Sequence, residues 1–207
     1  MRCFARYCYD RGLTTKTELA VQTGAGTIRP KLLLDEAGAV TAVRVDMGAP
    51  RFKAAEIPVV TADREAEAMD EVLTLDSGEQ FEGACISVGN PHLTIWVDDV
   101  DAFELERIGP LLERHERFPR RINVHIVQRV GSDELKMRTW ERGSGITLAC
   151  GTGAAAVHVT AVRQGVMGRA STIHLPGGAL QLEWDPATNH VFKTGPARFI
   201  CDGTWLG

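Results

Sequence analysis

The sequence predicts an α+β (α/β) fold of two lobes, each a sheet wrapped around one central helix. Three observations lead there. Strand-like segments outnumber helical ones along the 207 residues. The stretch Ala154 to Val162 is apolar almost all round, which marks a buried helix rather than a surface one. A weak internal repeat relates the two ends of the chain. Gly12 and Gly165 each end a helix, Gly24 and Gly177 each sit in the hairpin turn that follows, and both pairs lie 153 residues apart. A chain of this length suits one large domain or two small lobes and buries a real core.

Taken in order, residues 2–10 read as the tail of a helix that stops at Gly12. Val21 to Leu34 reads as a hairpin turning at Gly24-Ala-Gly26, and Thr41 to Met47 alternates, with Val43, Val45 and Met47 on one side. The turn cluster Gly48-Ala-Pro50 is the expected lobe boundary: residues 1–50 in the first lobe, a strand over 195–207 returning to it, and 51–194 in the second. Residues 53–84 are polar and short-stranded. Cys85 to Val88 is an apolar strand ending at the turn signal Gly89-Asn-Pro-His92, before a strand from Leu93 to Val97. Glu104 to Phe118 has a helical stripe of Leu105, Ile108, Leu111 and Leu112, with Pro110 acceptable only in an early turn or at a kink. Ile122 to Val127 and Leu135 to Trp140 are further strands.

Composition narrows the functional classes. The 44% hydrophobic and 24% charged residues are ordinary for a soluble globular protein. A net charge of −4 and a pI near 5.9 argue against a nucleic-acid binder. No apolar run approaches the roughly 18 residues that span a bilayer, and the first residues lack a signal-peptide core, so no membrane partner and a cytoplasmic location are expected. The five cysteines are odd in number and lack CxxC spacing, which disfavours a disulfide framework or a zinc site. Cys3, Cys8, Cys85 and Cys201 read as small buried hydrophobes.

Cys150 differs because it opens the apolar helix from a glycine-bracketed turn, within Glu141-Arg-Gly-Ser-Gly-Ile-Thr-Leu-Ala-Cys-Gly-Thr-Gly153. Unpaired N–H groups and the positive dipole end at a helix start favour a thiolate. Gly151-Thr-Gly-Ala-Ala-Ala156 fits a loose dinucleotide fingerprint, yet the first acid after it is Glu183, too far on to hold a ribose. The glycines instead let a ligand carboxylate approach backbone N–H groups. Arg142 offers a two-pronged clamp for a carboxylate and Glu141 an acceptor for an ammonium, the alternative being a surface ion pair at a strand end. Asn90 and His92 fall in a turn, where such residues also serve the backbone alone. Asn123 and His125 share one face of a strand, commonly the solvent side. His115, His158, His174 and His190 show no metal-ligand spacing, so no metal is expected.

Several of these segments together resemble diaminopimelate epimerase: Arg2-Cys-Phe-Ala-Arg6, Asp46-Met-Gly-Ala-Pro50, Gly89-Asn-Pro-His92, Gly109-Pro-Leu-Leu-Glu113 and His115-Glu-Arg-Phe-Pro119. Ile122-Asn-Val124, Glu141-Arg-Gly143, Ala149-Cys-Gly-Thr-Gly153 and Leu175-Pro-Gly-Gly178 continue the likeness over nearly the whole chain. The resemblance implies two pseudo-symmetric lobes, each a mostly antiparallel sheet around a central helix. It implies interconversion of LL- and meso-diaminopimelate in lysine and peptidoglycan precursor synthesis, by a homodimer without pyridoxal phosphate or any other cofactor. Cys150 would be one of two catalytic cysteines, with His92 and Glu141 supporting the acid–base step. Asn90, Asn123, Glu141, Arg142, Gly151 and Thr152 would hold the substrate's ammonium and carboxylate groups. One thiol must act as base while the opposite one acts as acid.

Two departures stand out. The family's first catalytic cysteine lies in a Cys-Gly-Asn-Gly segment directly before the position of Met1, and the 153-residue repeat puts the counterpart of Cys150 there too, four residues before Met1. The N-terminal lobe is therefore expected to be incomplete and the chain alone to epimerise poorly. Ile146 stands where the family usually carries glutamate. The alternatives are a non-catalytic amino-acid-binding or interaction protein on the same scaffold, or a related amino-acid racemase.

Overall fold

A computed structural model describes residues 1–24 and 26–204. The described chain forms two compact units, one of residues 1–46 with 194–204 and one of residues 47–193.

In the first unit, helix α1 (Arg2–Asp10) buries Ala5 and packs on strands β3 (Pro30–Leu34) and β4 (Val40–Asp46). These two strands pair antiparallel, and their alternation sends Leu32, Val40, Val43 and Val45 inward. The expected hairpin over 21–34 is shorter, pairing β1 (Val21–Thr23) with β2 (Gly26–Ile28), while Pro30 begins a strand that joins β4 instead. Ala25, within the expected turn, lies outside the described residues.

The second unit holds strands β5 (Glu71–Thr74), β6 (Gln80–Ser87), β7 (Pro91–Trp96), β8 (Asn123–Arg129) and β9 (Glu134–Glu141). It continues with β10 (Gly145–Thr147), β11 (Ala170–Leu175), β12 (Gly178–Trp184) and most of β13 (Val191–Gly195). The strand order is β13-β12-β11-β9-β8-β7-β6-β5, with β10 folded back on β9. Pairing is parallel at β7/β8 and β9/β11 and antiparallel at β5/β6, β6/β7, β8/β9, β9/β10 and β11/β12. Each parallel pair needs a crossover helix. Helix α2 (Leu105–Glu113) connects the first pair and α3 (Gly151–Arg163) the second.

The two helices cover opposite faces of the sheet. Alternate residues of β6, β7 and β8 consequently feed two cores. Cys85, Leu93, Ile95 and Val124 pack with Ile108 and Leu112 of α2, whereas Ile86 and Val127 pack with Ala154, Val157 and Ala161 of α3. Every residue from Gly153 to Ala161 is buried, as the all-round apolar pattern predicts. The run of alanines gives α3 both helix propensity and a slim outline around which the sheet closes.

Helix α2 is shorter than the predicted 104–118. It ends at Glu113, and Leu111 of the predicted stripe is half-exposed on the outside. Pro110 lies inside it without an N–H to give. The repeat survives in three dimensions. After α1, Arg11, Gly12 and Leu13 donate backbone hydrogen bonds to Tyr7, Tyr9 and Cys8. After α3, Gln164, Gly165 and Val166 donate to Thr160, Val162 and Ala161, the same positions 153 residues on. Both glycines take positive φ, +69° and +70°, the left-handed helix stop that glycine adopts without cost.

Candidate functional site

Cys150 caps α3 with extended backbone, φ −122° and ψ 104°, and its thiol is buried 3.6 Å from the Thr152 hydroxyl. A helix start is expected to favour the thiolate. Here burial dominates and pushes the thiol up to about 11, with the Glu141 carboxylate adding to the rise. The Thr152 hydroxyl and the Gly153 N–H pull the other way and are outweighed. Burial thus outweighs the helix start and favours the thiol form of Cys150.

Gly89-Asn-Pro-His92 is only half a turn. Gly89, with φ +106°, turns the chain, but Pro91 and His92 are already the first residues of β7, so His92 is wholly buried rather than in a loop. Pro91 is tolerated there as a strand's first residue. Asn123 and His125 are also buried, against the expectation of a solvent face, because α3 covers that side of β8.

Asn123 acts as a clip between the start of β7 and the turn after β9. Its Nδ2 donates to the Pro91 carbonyl at 2.8 Å, and its Oδ1 accepts from the Arg142 backbone N–H at 3.0 Å. Glu141 accepts from the Thr147 hydroxyl at 2.6 Å, and the exposed Arg142 guanidinium donates to the Arg120 carbonyl at 2.9 Å. Gly151 and Thr152 form the first turn of α3, and a side chain at Gly151 would press on the ammonium end of Lys193. Ile146, exposed on β10, points no polar group at the site.

Four contributors escaped the sequence reading: His125, Thr139, Glu113 and Lys193. Glu113 is buried, accepting from the Trp140 indole N–H at 2.8 Å and the Gly143 backbone N–H at 3.1 Å. Burial alone would raise its pKa, but these bonds and the charges of Arg121 and Arg114 leave it below the usual carboxylate range. It lies four residues after Gly109, hence on the same helix face. A methyl at Gly109 would sit 2.7 Å from the Trp140 ring, so that glycine is what lets α2 reach β9. An acid one turn beyond a helix glycine was the available signal.

Ring nitrogens of His92 and His125 and the Cys150 sulfur all lie within 4.8 Å of one another, near enough to share a metal ion. Each imidazole nitrogen is already engaged, however. His92 Nδ1 lies 2.8 Å from His125 Nε2, His92 Nε2 lies 2.9 Å from Asn90 Oδ1, and His125 Nδ1 lies 3.0 Å from Thr139 Oγ1. The grouping is a hydrogen-bonded chain, and an ion would have to break it.

In fold, the chain stands with amino-acid epimerases and racemases. A hydroxyproline epimerase from Agrobacterium vitis superimposes with a TM-score of 0.65 at 14% identity, over 93% of this chain and 60% of that one. A predicted epimerase from Pseudomonas aeruginosa gives 0.64 at 18% identity, over 99% and 72%. Sequence is more specific. A model of the family described as diaminopimelate epimerase matches residues 84–200. The diaminopimelate epimerase of Moorella thermoacetica is 48% identical over 98% of this chain and 71% of its own length; that of Agathobacter rectalis is 45% identical over 98% and 72%. The chain belongs to the diaminopimelate epimerase family, a family of isomerases.

Proposed function

We propose that this chain binds diaminopimelate and carries one acid–base half of its epimerisation, with Cys150 as the reacting group. The observation that supports it most is the thiol's placement: buried at the N-cap of α3, beside Glu141 and within 4.8 Å of a His92 ring nitrogen. The first-turn N–H groups of Gly151 and Thr152 accept the substrate's α-carboxylate, where they stabilise charge as it develops next to the α-carbon. Glu141 accepts from the ammonium, while Arg142 and Asn90 hold a carboxylate. Asn123 sets the loops that carry them.

In one direction, a base on the far face removes the α-proton and the Cys150 thiol delivers its own proton to the near face, leaving inverted carbon and a Cys150 thiolate. In the other direction, the Cys150 thiolate removes the proton. The proton transfer needs no electron-sink cofactor in this scheme. A free reactive thiol suits the reduced cytoplasm, where we place the reaction. We further read the working form as a homodimer, which the edge position of β5 with its half-exposed Val72 favours; light scattering at the subunit mass alone would count against it.

The test incubates the chain with each stereoisomer in D2O. Deuterium uptake at the α-carbon, lost in Cys150→Ser, is the expected result, and calorimetry that detects no binding of any isomer overturns the proposal. The thiol's position near 11 also favours a second reading, an amino-acid-binding protein on this scaffold. Binding without deuterium uptake at any pH up to 9 would select it.

A further inference from the structure

His125 is a histidine in the middle of an apolar strand, and the sheet register gives it particular neighbours. It lies directly opposite Thr139 of β9 and, on the same sheet face, two register pairs along from His92 of β7, whose partner on β8 is Asn123. All three side chains are buried on the α3 side. The first turn of α3 rests on the imidazole: a methyl at Gly153 would lie 2.7 Å from His125 Nε2 and 3.0 Å from Nδ1. The ring is thus clamped from above by a glycine and from behind by a hydroxyl.

Burial keeps both imidazoles neutral, His125 down at about 3 and His92 well below its ordinary value, with the Arg142 charge pushing His92 further. A neutral imidazole has one donor and one acceptor nitrogen. The chain of contacts therefore has a direction, which its Asn90 end reveals. Asn90 Oδ1 only accepts, so His92 Nε2 carries the proton and His92 Nδ1 accepts. His125 Nε2–H then donates to His92 Nδ1, and His125 Nδ1 accepts from the Thr139 hydroxyl. Among the described residues no hydrogen bond uses Asn90 Nδ2, and Asn90 is only half-buried.

We infer that His125, backed by Thr139, is a positioning residue: by donating to His92 Nδ1 it fixes the His92 tautomer, and His92 in turn holds Asn90 with its two amide N–H groups facing the ligand. The site thereby presents donors to a carboxylate oxygen instead of a carbonyl that would repel it. Both ring nitrogens of His125 are taken up by His92 and Thr139, so it acts through His92. This inference rests on the proposed function only for the identity of the ligand.

Imidazole nitrogen NMR on the full 207-residue chain, free of ligand, tests the direction of the chain. The expected spectrum has His92 protonated at Nε2 and His125 protonated at Nε2. A His92 protonated at Nδ1 overturns the inference, whatever the chain does with diaminopimelate. Two variants test the consequence. H125Q retains an N–H near the Nε2 position, whereas H125F removes it. For meso-diaminopimelate, H125F is expected to bind about tenfold more weakly, the worth of one oriented hydrogen bond, and H125Q within about threefold of the parent. The His92 signals should move in H125F and hold in H125Q. Equal weakening in both variants with unmoved His92 signals would mean a merely structural role and overturn the inference. If the parent itself binds no diaminopimelate, the proposed function fails while the tautomer result still stands by itself.

Discussion

At residue scale, Cys150 shows two electrostatic effects in direct competition. Helix-terminal N–H groups stabilise a thiolate, yet a site dry enough to strengthen those interactions also penalises the charge. The net rise to about 11 says that desolvation wins. The glycines beside it serve fit more than flexibility. Gly153 carries ordinary helical backbone, and what it needs is the space that the His125 ring fills. Gly153→Ala is expected to destabilise the fold by roughly 1–3 kcal/mol through overpacking against a ring that has nowhere to go. Urea unfolding at pH 7 checks this, and a loss smaller than about 0.5 kcal/mol would show that the ring yields.

At the scale of elements, the β9–β10 hairpin that carries Glu141 and Arg142 is held by something outside itself. Glu113, at the end of α2, takes the Trp140 indole N–H and the Gly143 backbone N–H, tying helix to hairpin across the sheet face. Glu113→Gln keeps the shape but replaces an ionised acceptor with an amide that has donors facing donors. It is expected to cost roughly 2 kcal/mol of stability and to weaken diaminopimelate binding through a loosened Arg142 loop. Trp140→Phe in the Glu113→Gln background should then cost much less than Trp140→Phe alone, a coupling that a double-mutant cycle measures. Additive losses would show that the two side chains act separately.

Helix α3 has an analogous internal tie. His158 is buried on it, accepting from the Ser171 hydroxyl at 2.7 Å and donating to the Arg169 carbonyl at 3.2 Å. Burial pulls it down from 6.5 to about 4, with the Arg169 charge in the same direction. A folded-state pKa below the unfolded one means the unfolded chain binds the proton first. The stabilisation is therefore complete above pH 6.5 and is lost as pH falls toward 4. His158 alone is expected to remove about 2 kcal/mol of unfolding free energy between pH 7 and pH 5, and the buried His92 and His125 add in the same sense. Unfolding midpoints in urea at the two pH values check this; equal midpoints would sink it.

For the molecule as a whole, the local sequence determined much of the element list. The apolar run at Ala154–Val162 could only be a buried helix, and Val43 and Val45 could only be the inner face of a strand. The 153-residue repeat was legible from glycines alone, because a helix stop with positive φ leaves that residue type as its trace. His92, Glu141 and Thr152, which lie beside Cys150, each stand in a short sequence motif whose residue types suit the handling of charged groups. What the sequence left open was on which side of the sheet each strand residue would lie and what would cover it. A lone polar residue in a strand has the same pattern whether it faces water or a second layer, so the strand pattern of Asn123 and His125 fits the common solvent side equally well. The crossover helix α3 on that face decides the matter, and it buries them into a network with Thr139, His92 and Asn90. The protonation state of Cys150 was undetermined for the same reason. A helix start is local and visible in sequence, but desolvation is the sum of everything packed around the sulfur, and only the tertiary structure assembles that sum.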